Sequence, residues 1–125
     1  MTDEGPMMTG AATVLVVTDM AKSMAYYRDV LGFEVTFEYG QPVNYVCLCR
    51  DDVALHLIVS VRTKRLPGNT AVCVFVRDID RVYAEFCARG ARLTGEPQTY
   101  DYGMREFEVL DLDGNQLIVG MGVSS

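Results

Sequence analysis

The chain has 125 residues, half of them hydrophobic, and a formal net charge of −6. This length and composition fit one globular domain whose core needs neither disulfides nor a structural metal. An acidic chain is unsuited to nucleic acid, whose phosphates require clustered lysine and arginine. No apolar run approaches the roughly 20 residues of a membrane span, and residues 1–10 do not resemble a signal peptide. We therefore expect a cytoplasmic protein that binds neither nucleic acid nor membrane.

A repeated pattern divides the chain into two halves. The apolar run 14–17 leads into Asp19, and apolar residues then recur at helical spacing until Gly32. This order predicts a strand, a helix N-cap and a helix that ends at a glycine. A second copy begins at Cys73, reaches Asp78, which follows Asp19 by 59 residues, and ends at Gly90. The repeat predicts two similar modules.

Each half continues with three further strands, which gives the order strand, helix, strand, strand, strand. The predicted strands are 12–17, 33–38, 45–49 and 53–59, then 70–76, 92–94, 104–110 and 116–121; the predicted helices are 19–32 and 78–89. We place the modules at residues 11–61 and 69–121, with a linker at 62–68 and a flexible tail at 1–10.

Two strands alternate apolar with acidic side chains, the period of two typical of a half-buried strand. We expect their apolar sides to cover a helix and their glutamates to lie on the opposite face. That face is either the wall of a binding cavity or a charged surface that prevents edge pairing. The apolar members are Phe33, Val35, Phe37, Phe107 and Val109, and the acidic members are Glu34, Glu38, Glu106 and Glu108.

The cysteines leave two interpretations. Cys47 and Cys49 fall on one face of a strand, and with His56 they could form a soft metal site. Neither they nor Cys73 and Cys87 show a C-x-x-C spacing, however. We favour free thiols in a reducing compartment.

The residues described so far resemble the vicinal oxygen chelate superfamily, which includes glyoxalase I, bleomycin resistance proteins and extradiol dioxygenases. The resemblance rests on Asp19 to Phe33, on its repeat from Asp78 to Gly90, and on Arg105 to Asn115, and it covers residues 12–121. It implies an α+β fold of paired βαβββ modules that form an open cup of mixed strands, with helices outside and the ligand inside. It does not fix the activity, because one fold serves many functions.

The metal-dependent members of this family carry His, Glu or Gln ligands at four positions of the cup. Carried over to this chain, the positions fall at Ala12, Ala71, His56 and Ile118. A catalytic divalent metal needs two or three protein ligands. We therefore expect no metal and no other cofactor, and His56 would be a ligand only in a divergent site.

The bleomycin resistance branch is the more similar one, on Leu55-His56-Leu57, on the strand 103–107 and on the turn 111–115. Its members bind a large cationic drug in grooves of a homodimer, and they do not transform it. The resemblance implies a homodimer that takes a small organic ligand, with a role in antibiotic resistance. Tryptophan, which helps such grooves to hold a drug, is absent from this chain. Tyrosine can supply a flat apolar surface in its place.

The candidate ligand-binding residues are polar or aromatic side chains that we expect at the cup wall or its rim. His56 is either a lining residue with one satisfied nitrogen or a direct ligand contact. Arg105 either faces an anionic ligand or pairs with a neighbouring glutamate. The full set is Glu38, Tyr45, His56, Tyr100, Tyr102, Arg105, Glu106 and Glu108.

The sequence thus predicts metal-independent binding of a small, cationic molecule, and whether the chain is an enzyme stays open. No catalytic residue is assigned, because no nucleophile motif or phosphate loop is present. The alternative is a glyoxalase or dioxygenase type of lyase or isomerase with a divergent metal site around His56. A third possibility is a domain that has lost its ligand and acts through its dimer surface.

Overall fold

The structure is a computed structural model that describes residues 4–124. Residues 4–12 form neither helix nor strand and are exposed. The flexible tail predicted at 1–10 falls partly on residues 1–3, outside the described part of the chain. No helix within residues 4–124 has the length and apolar composition to cross a membrane.

The first half of the chain forms a four-stranded sheet in the order β1-β4-β3-β2, in which β1 runs parallel to β4 and the other pairs are antiparallel. Helix α1 continues directly into a π-helical segment, and a short 3₁₀ helix follows the last strand. The elements are β1 Thr13–Val17, α1 Met20–Ala25, the π-helical segment Tyr26–Val30, β2 Glu34–Tyr39, β3 Tyr45–Arg50, β4 Val53–Val59 and the 3₁₀ helix Ser60–Arg62.

The second half repeats this topology as a sheet in the order β5-β9-β8-β6, with the additional strand β7 paired to β8. Again the first strand, β5, runs parallel to the last, β9. The elements are β5 Ala71–Phe75, α2 Ile79–Ala88, β6 Arg92–Leu93, β7 Gln98–Thr99, β8 Met104–Leu110 and β9 Gln116–Gly122. The two mixed sheets and two helices confirm the predicted fold class of paired βαβββ modules. Strand β7 lies between the predicted strands 92–94 and 104–110, where no strand was predicted.

Local signals in the sequence determine where each of the two helices begins and ends. The carboxylate of Asp19 accepts a hydrogen bond from the first turn of α1, and that of Asp78 does the same for α2. Both are N-caps of the kind expected for aspartate. Gly32 and Gly90 follow the helices with φ of 78° and 79°, a conformation that glycine adopts without steric cost.

Strand β2 departs from the predicted alternation. Its pairing with β3 shifts by one residue between Val35 and Phe37. Phe37 therefore pairs with Cys47, on the face turned away from the helix, and is 52% exposed. Glu38 pairs with Val46, a fully buried residue on the helix-facing side. The expectation that Phe37 covers the helix and Glu38 faces the cup is wrong, because a β-bulge exchanges the two faces.

One apolar core lies between the two sheets and contains both helices. Side chains from the helix-facing sides of both sheets join it, so the opposite side of each sheet is its open face. Alternation along the strands, interrupted in β2 by the bulge, assigns the strand residues to one side or the other. The largest fully buried members are Leu15, Tyr27, Leu31, Leu48, Leu55, Leu57, Ile79 and Leu117.

The turn at residues 111–115 holds the modules together through a buried carboxylate. Asp111 is fully buried and accepts hydrogen bonds from the Tyr27 hydroxyl at 2.8 Å and from the Asn115 side chain at 2.8 Å. It also accepts the backbone N–H groups of Asp113 and Asn115, each at 2.9 Å. A buried charge is tolerated when its lone pairs are filled in this way. Tyr27 comes from the first module, so this cluster joins the two halves.

The same turn covers the free edge of β1. The Asp113 carboxylate accepts hydrogen bonds from the backbone N–H and the hydroxyl of Thr18, the latter at 2.8 Å. The Asn115 side chain donates to the carbonyl of Val16 at 3.0 Å. Exposed edges invite pairing with other strands. The turn at 111–115 therefore closes the edge of the first sheet with side chains from the second module.

Candidate ligand-binding site

The open face of the second sheet carries an acidic cavity of about 220 Å³. Glu106 and Glu108 project into it from β8, two residues apart and therefore on the same face. The segment that leads to β7 forms the opposite wall and adds a third carboxylate, Glu96. The cavity is lined by Thr94, Gly95, Glu96, Gln98, Tyr100, Glu106, Phe107 and Glu108.

Two tyrosines stack at the mouth of this acidic cavity. The rings of Tyr100 and Tyr102 lie 5.2 Å apart at an angle of 10° and are 42% and 62% exposed. The Tyr102 hydroxyl donates to the Glu106 carboxylate at 2.8 Å. This hydrogen bond, with a smaller effect of burial, raises the pKa of Tyr102 to about 12. Tyr102 thus stays a donor that fixes the carboxylate, while the stack offers an aromatic face.

The open face of the first sheet carries His56. The Tyr45 hydroxyl lies 2.7 Å from His56 Nδ1, and the two rings meet edge to face with centroids 5.5 Å apart. Burial, and to a lesser extent the neighbouring Cys47, raises the pKa of Tyr45. No hydrogen bond to His56 Nε2 comes from residues 4–124, so this nitrogen can serve a ligand. Two separately chosen candidate residues, His56 and Tyr45, thus lie in contact on this face.

Two aromatic residues beside this pair were not assigned to the site from the sequence. Tyr39 pairs with Tyr45, and Phe37 pairs with Cys47, so both lie on the same open face as His56. They are 59% and 52% exposed. Their outward position follows from the bulge in β2. A strict alternation along β2 would have turned both rings toward the core.

Two predicted site residues lie on the other side of their sheets. Glu38 faces the helix side, as described above. Arg105 pairs with Asp80 of α2 at 2.9 Å and donates to the Thr99 hydroxyl at 3.1 Å. It alternates with Glu106, so it faces α2 and not the acidic cavity. Arg105 does form an ion pair, but with an aspartate on the helix and not with a neighbouring glutamate.

The two open faces do not meet within one chain. Each sheet turns its other side toward the shared core, so the face with His56 and the face with Glu106 point away from each other. The acidic cavity is lined by residues of the second module only. One chain therefore presents two separate candidate faces.

The family's metal positions in this chain do not fit a divalent metal. Ala12, Ala71 and Ile118 have no donor atom in their side chains. Ile118 lies between Cys73 and Glu108 in the sheet, which offers one thiol and one carboxylate. Among residues 4–124, no three His, Cys, Asp or Glu side chains lie close enough to hold a metal ion.

Comparison with solved structures places the fold among known proteins. A member of the glyoxalase/bleomycin resistance protein/dioxygenase superfamily from Sphaerobacter thermophilus is 25% identical, with a TM-score of 0.79 over 93% of this chain and 99% of its own. The bleomycin-binding protein of Streptomyces verticillus, solved with copper(II)-bleomycin, is 24% identical, with a TM-score of 0.73 over 94% and 98%. TnmS3, an antibiotic binding protein from Streptomyces sp. CB03234, is 21% identical, with a TM-score of 0.77 over 94% and 98%.

Sequence comparison agrees with the fold. No curated protein sequence matches the chain. The family model of the Glyoxalase/Bleomycin resistance protein/Dioxygenase superfamily matches residues 11–119, which is most of the chain. Together with the paired βαβββ modules, this match shows that the chain belongs to the glyoxalase/bleomycin resistance protein/dioxygenase superfamily.

Proposed function

We propose that this protein binds a small, cationic organic molecule without a metal and sequesters it unchanged. The observation that carries the proposal is the acidic cavity on the second sheet. Three carboxylates, Glu96, Glu106 and Glu108, line one small cavity, and a stacked pair of tyrosines stands at its mouth. Such a site favours a ligand with a positive charge beside a flat ring.

The energetics suit binding better than catalysis. A cation over a tyrosine face contributes about 0.5–1 kcal/mol at an exposed site, and more when water is excluded. The clustered carboxylates add an attraction that falls with ionic strength. The Tyr102 hydroxyl holds Glu106 in place before the ligand arrives, which reduces the entropy that binding costs. Binding through these groups requires no covalent bond of the ligand to be broken.

The complete site in this proposal needs a second copy of the chain. A homodimer that sets the first sheet of one copy against the second sheet of the other would unite His56 with the acidic cavity. Tyr45 and Phe37 would then supply an apolar wall opposite Glu106 and Glu108. Isologous dimers repeat every contact, so such a dimer would have two identical grooves.

The comparisons support a binding role at the level of the family. Two of the similar structures are named as proteins that bind bleomycin or an antibiotic. We therefore propose an antibiotic as the ligand and resistance by sequestration as the role. The four free cysteines support a cytoplasmic location.

The test is calorimetric titration of the metal-free protein with bleomycin at low and physiological salt. We expect saturable binding that weakens with salt, and a loss of about tenfold or more in affinity for the double variant Glu106→Gln/Glu108→Gln. Glu38→Gln, which removes one negative charge from the helix side of the other sheet, is the control for a loss of charge elsewhere on the chain. Analytical ultracentrifugation should give a dimer. Binding that Glu106→Gln/Glu108→Gln leaves unchanged, or a strict requirement for added metal, would refute the proposal.

A further inference from the structure

The internal repeat allows the two modules to be compared position by position. Val14 pairs with His56 in the first sheet, and Cys73 pairs with Ile118 in the second. Residues of β1 therefore correspond to residues of β5 that lie 59 positions later. By this rule Thr18 corresponds to Arg77, and Val16 corresponds to Phe75. The corresponding positions should have corresponding surroundings if the modules were equivalent.

The surroundings differ sharply at the end of the first strand. In the first module the turn at 111–115 covers the peptide groups of Val16 and Thr18, and Val16 is fully buried. The corresponding turn, between β3 and β4, has only two residues, Asp51 and Asp52. Within residues 4–124 no hydrogen bond links this turn to β5, and Phe75 is 71% exposed.

An open cleft of about 810 Å³ lies where the longer turn would have been. It runs between the β3–β4 turn, the end of β5 and helix α2. Its floor is apolar and combines Phe33 of the first module with core residues of the second module, namely Val74, Val82, Phe86, Leu117 and Val119. The volume lies in the range of small-molecule sites. This cleft is distinct from both open faces.

The repeat also gives counterparts for Tyr27 and Asp111, the hydrogen-bonded pair of the buried cluster, and these counterparts are different residues. Phe86 corresponds to Tyr27, and by the pairing of β3 and β8 Arg50 corresponds to Asp111. The hydrogen bond from Tyr27 to Asp111 is thus replaced by an arginine whose guanidinium carbon lies 6.0 Å from the centre of the Phe86 ring. The cleft floor offers an aromatic surface without a hydroxyl.

Two peptide groups at the cleft lack the partners that their counterparts have. The backbone N–H of Val76 donates a hydrogen bond to β9. The N–H and C=O of the preceding residue, Phe75, therefore point the opposite way, to the free edge of β5. Within residues 4–124, no hydrogen bond reaches the N–H of Arg77. In the first module the counterparts of these groups bind a carboxylate and an amide N–H. Within the described part of the chain, the cleft therefore lacks a carboxylate on the Arg77 N–H and an amide N–H on the Phe75 carbonyl.

The charged residues at the rim of the cleft favour a ligand carboxylate near Arg77 and Arg81. Arg50 and Glu85 satisfy each other in a bidentate pair at 2.8 Å, and Asp78 is occupied as the cap of α2. Arg77 and Arg81 are exposed at the rim and have no ion pair within residues 4–124. The β3–β4 turn also lines the cleft, with Asp51 and Asp52, whose carboxylates favour an N–H donor on a ligand.

We propose that this cleft is a second ligand site, which binds an organic carboxylate that has an apolar body and an N–H donor. The carboxylate takes the place that Asp113 has in the first module, on the Arg77 N–H and beside the guanidinium groups of Arg77 and Arg81. The N–H donor takes the place of the Asn115 amide, on the Phe75 carbonyl. The apolar body lies on Val82 and Phe86. N-acylated apolar amino acids have this chemistry.

The experiment is an NMR titration of the backbone amides with N-acetyl-L-phenylalanine, and with its neutral amide N-acetyl-L-phenylalaninamide as a matched control. We expect the acid to shift the amide signals around Arg77 and Val82, and the neutral amide to bind about tenfold more weakly or worse. The double variant Arg77→Gln/Arg81→Gln should lose binding of the acid to a similar extent. Arg62→Gln, which removes an exposed arginine elsewhere, should leave it unchanged.

Each other result overturns the proposal. If the acid causes no saturable shift at the cleft, or shifts signals on the open face around Glu106, the cleft is not its site. If the neutral amide binds as well as the acid, or the double variant binds as well as Arg62→Gln, no carboxylate site exists there. Arg77 and Arg81 are exposed, so the variants should keep the fold, and their unshifted spectra verify this.

Discussion

Removal of one hydroxyl, in Tyr27→Phe, tests whether the buried carboxylate joins the modules. Tyr27 and Asp111 are both fully buried, and the hydroxyl donates to the carboxylate at 2.8 Å. A hydrogen bond to a charged group contributes about 1.5–3 kcal/mol. Because Asp111 keeps three other donors, we expect a loss of about 2 kcal/mol, or roughly 8 °C in Tm for a domain of this size.

The assay is urea unfolding followed by circular dichroism at neutral pH, with Tyr39→Phe as the control. Tyr39 is 59% exposed, and no hydrogen bond links its hydroxyl to another of the residues 4–124, so its variant should match the wild type within about 0.5 kcal/mol. If Tyr27→Phe is no less stable than Tyr39→Phe, the cluster does not join the modules as described.

Alkaline pH gives the same prediction an independent readout. Burial, and next the charge of Asp111, raises the pKa of Tyr27 above its ordinary value near 10. The unfolded chain therefore releases this proton at lower pH than the folded chain. The contribution of the Tyr27 hydroxyl to the free energy of unfolding is complete below about pH 10 and declines as the pH rises above this value. The stability difference between wild type and Tyr27→Phe should shrink above pH 10, and a constant difference would contradict the assignment.

Three further predictions concern single positions. Gly68→Ala should cost more than about 1 kcal/mol in urea unfolding, because φ is 81° and the new Cβ would lie 2.3 Å from the Asp113 carbonyl oxygen. The hydrogen-bonded ion pair with Arg50 lowers the pKa of Glu85, so Glu85→Gln should lower the free energy of unfolding by about 1 kcal/mol at pH 7. This difference should disappear as the pH falls through the pKa of Glu85 in the folded protein. Acid titration of the stability of both proteins checks this. Phe107→Ala should cost about 3–5 kcal/mol, since the ring is 3% exposed in the core, and calorimetric unfolding measures it.

The sequence predicted those features of the fold that depend on local signals. Asp19 and Asp78 are caps because a short carboxylate bonds to the helix that follows, and the hydrophobic periods determined the order of elements. The bulge in β2 was missed, since nothing near Thr36 distinguishes it from an ordinary strand residue. Phe37 and Glu38 were consequently assigned to the wrong faces.

The candidate site was predictable only in part, because its geometry depends on pairing between distant segments. Tyr45 and His56 could be chosen as polar residues on strands, but their contact follows from the register of β3 and β4. The acidic segment 111–115 was recognisable as a turn. Its side-chain bonds to Thr18, 95 residues earlier, were not, since sequence spacing carries no information on such contacts.

The bonds between the turn at 111–115 and the first strand also determine when the chain can fold. The first module lacks its last covering groups until residue 115 has been synthesised, because Asn115 and Asp113 cap β1. Contacts of such long sequence separation slow folding, and they leave apolar surface open to aggregation in the meantime. The two halves therefore complete their structure together although each has its own sheet, and we expect the first half, translated alone, to fold incompletely.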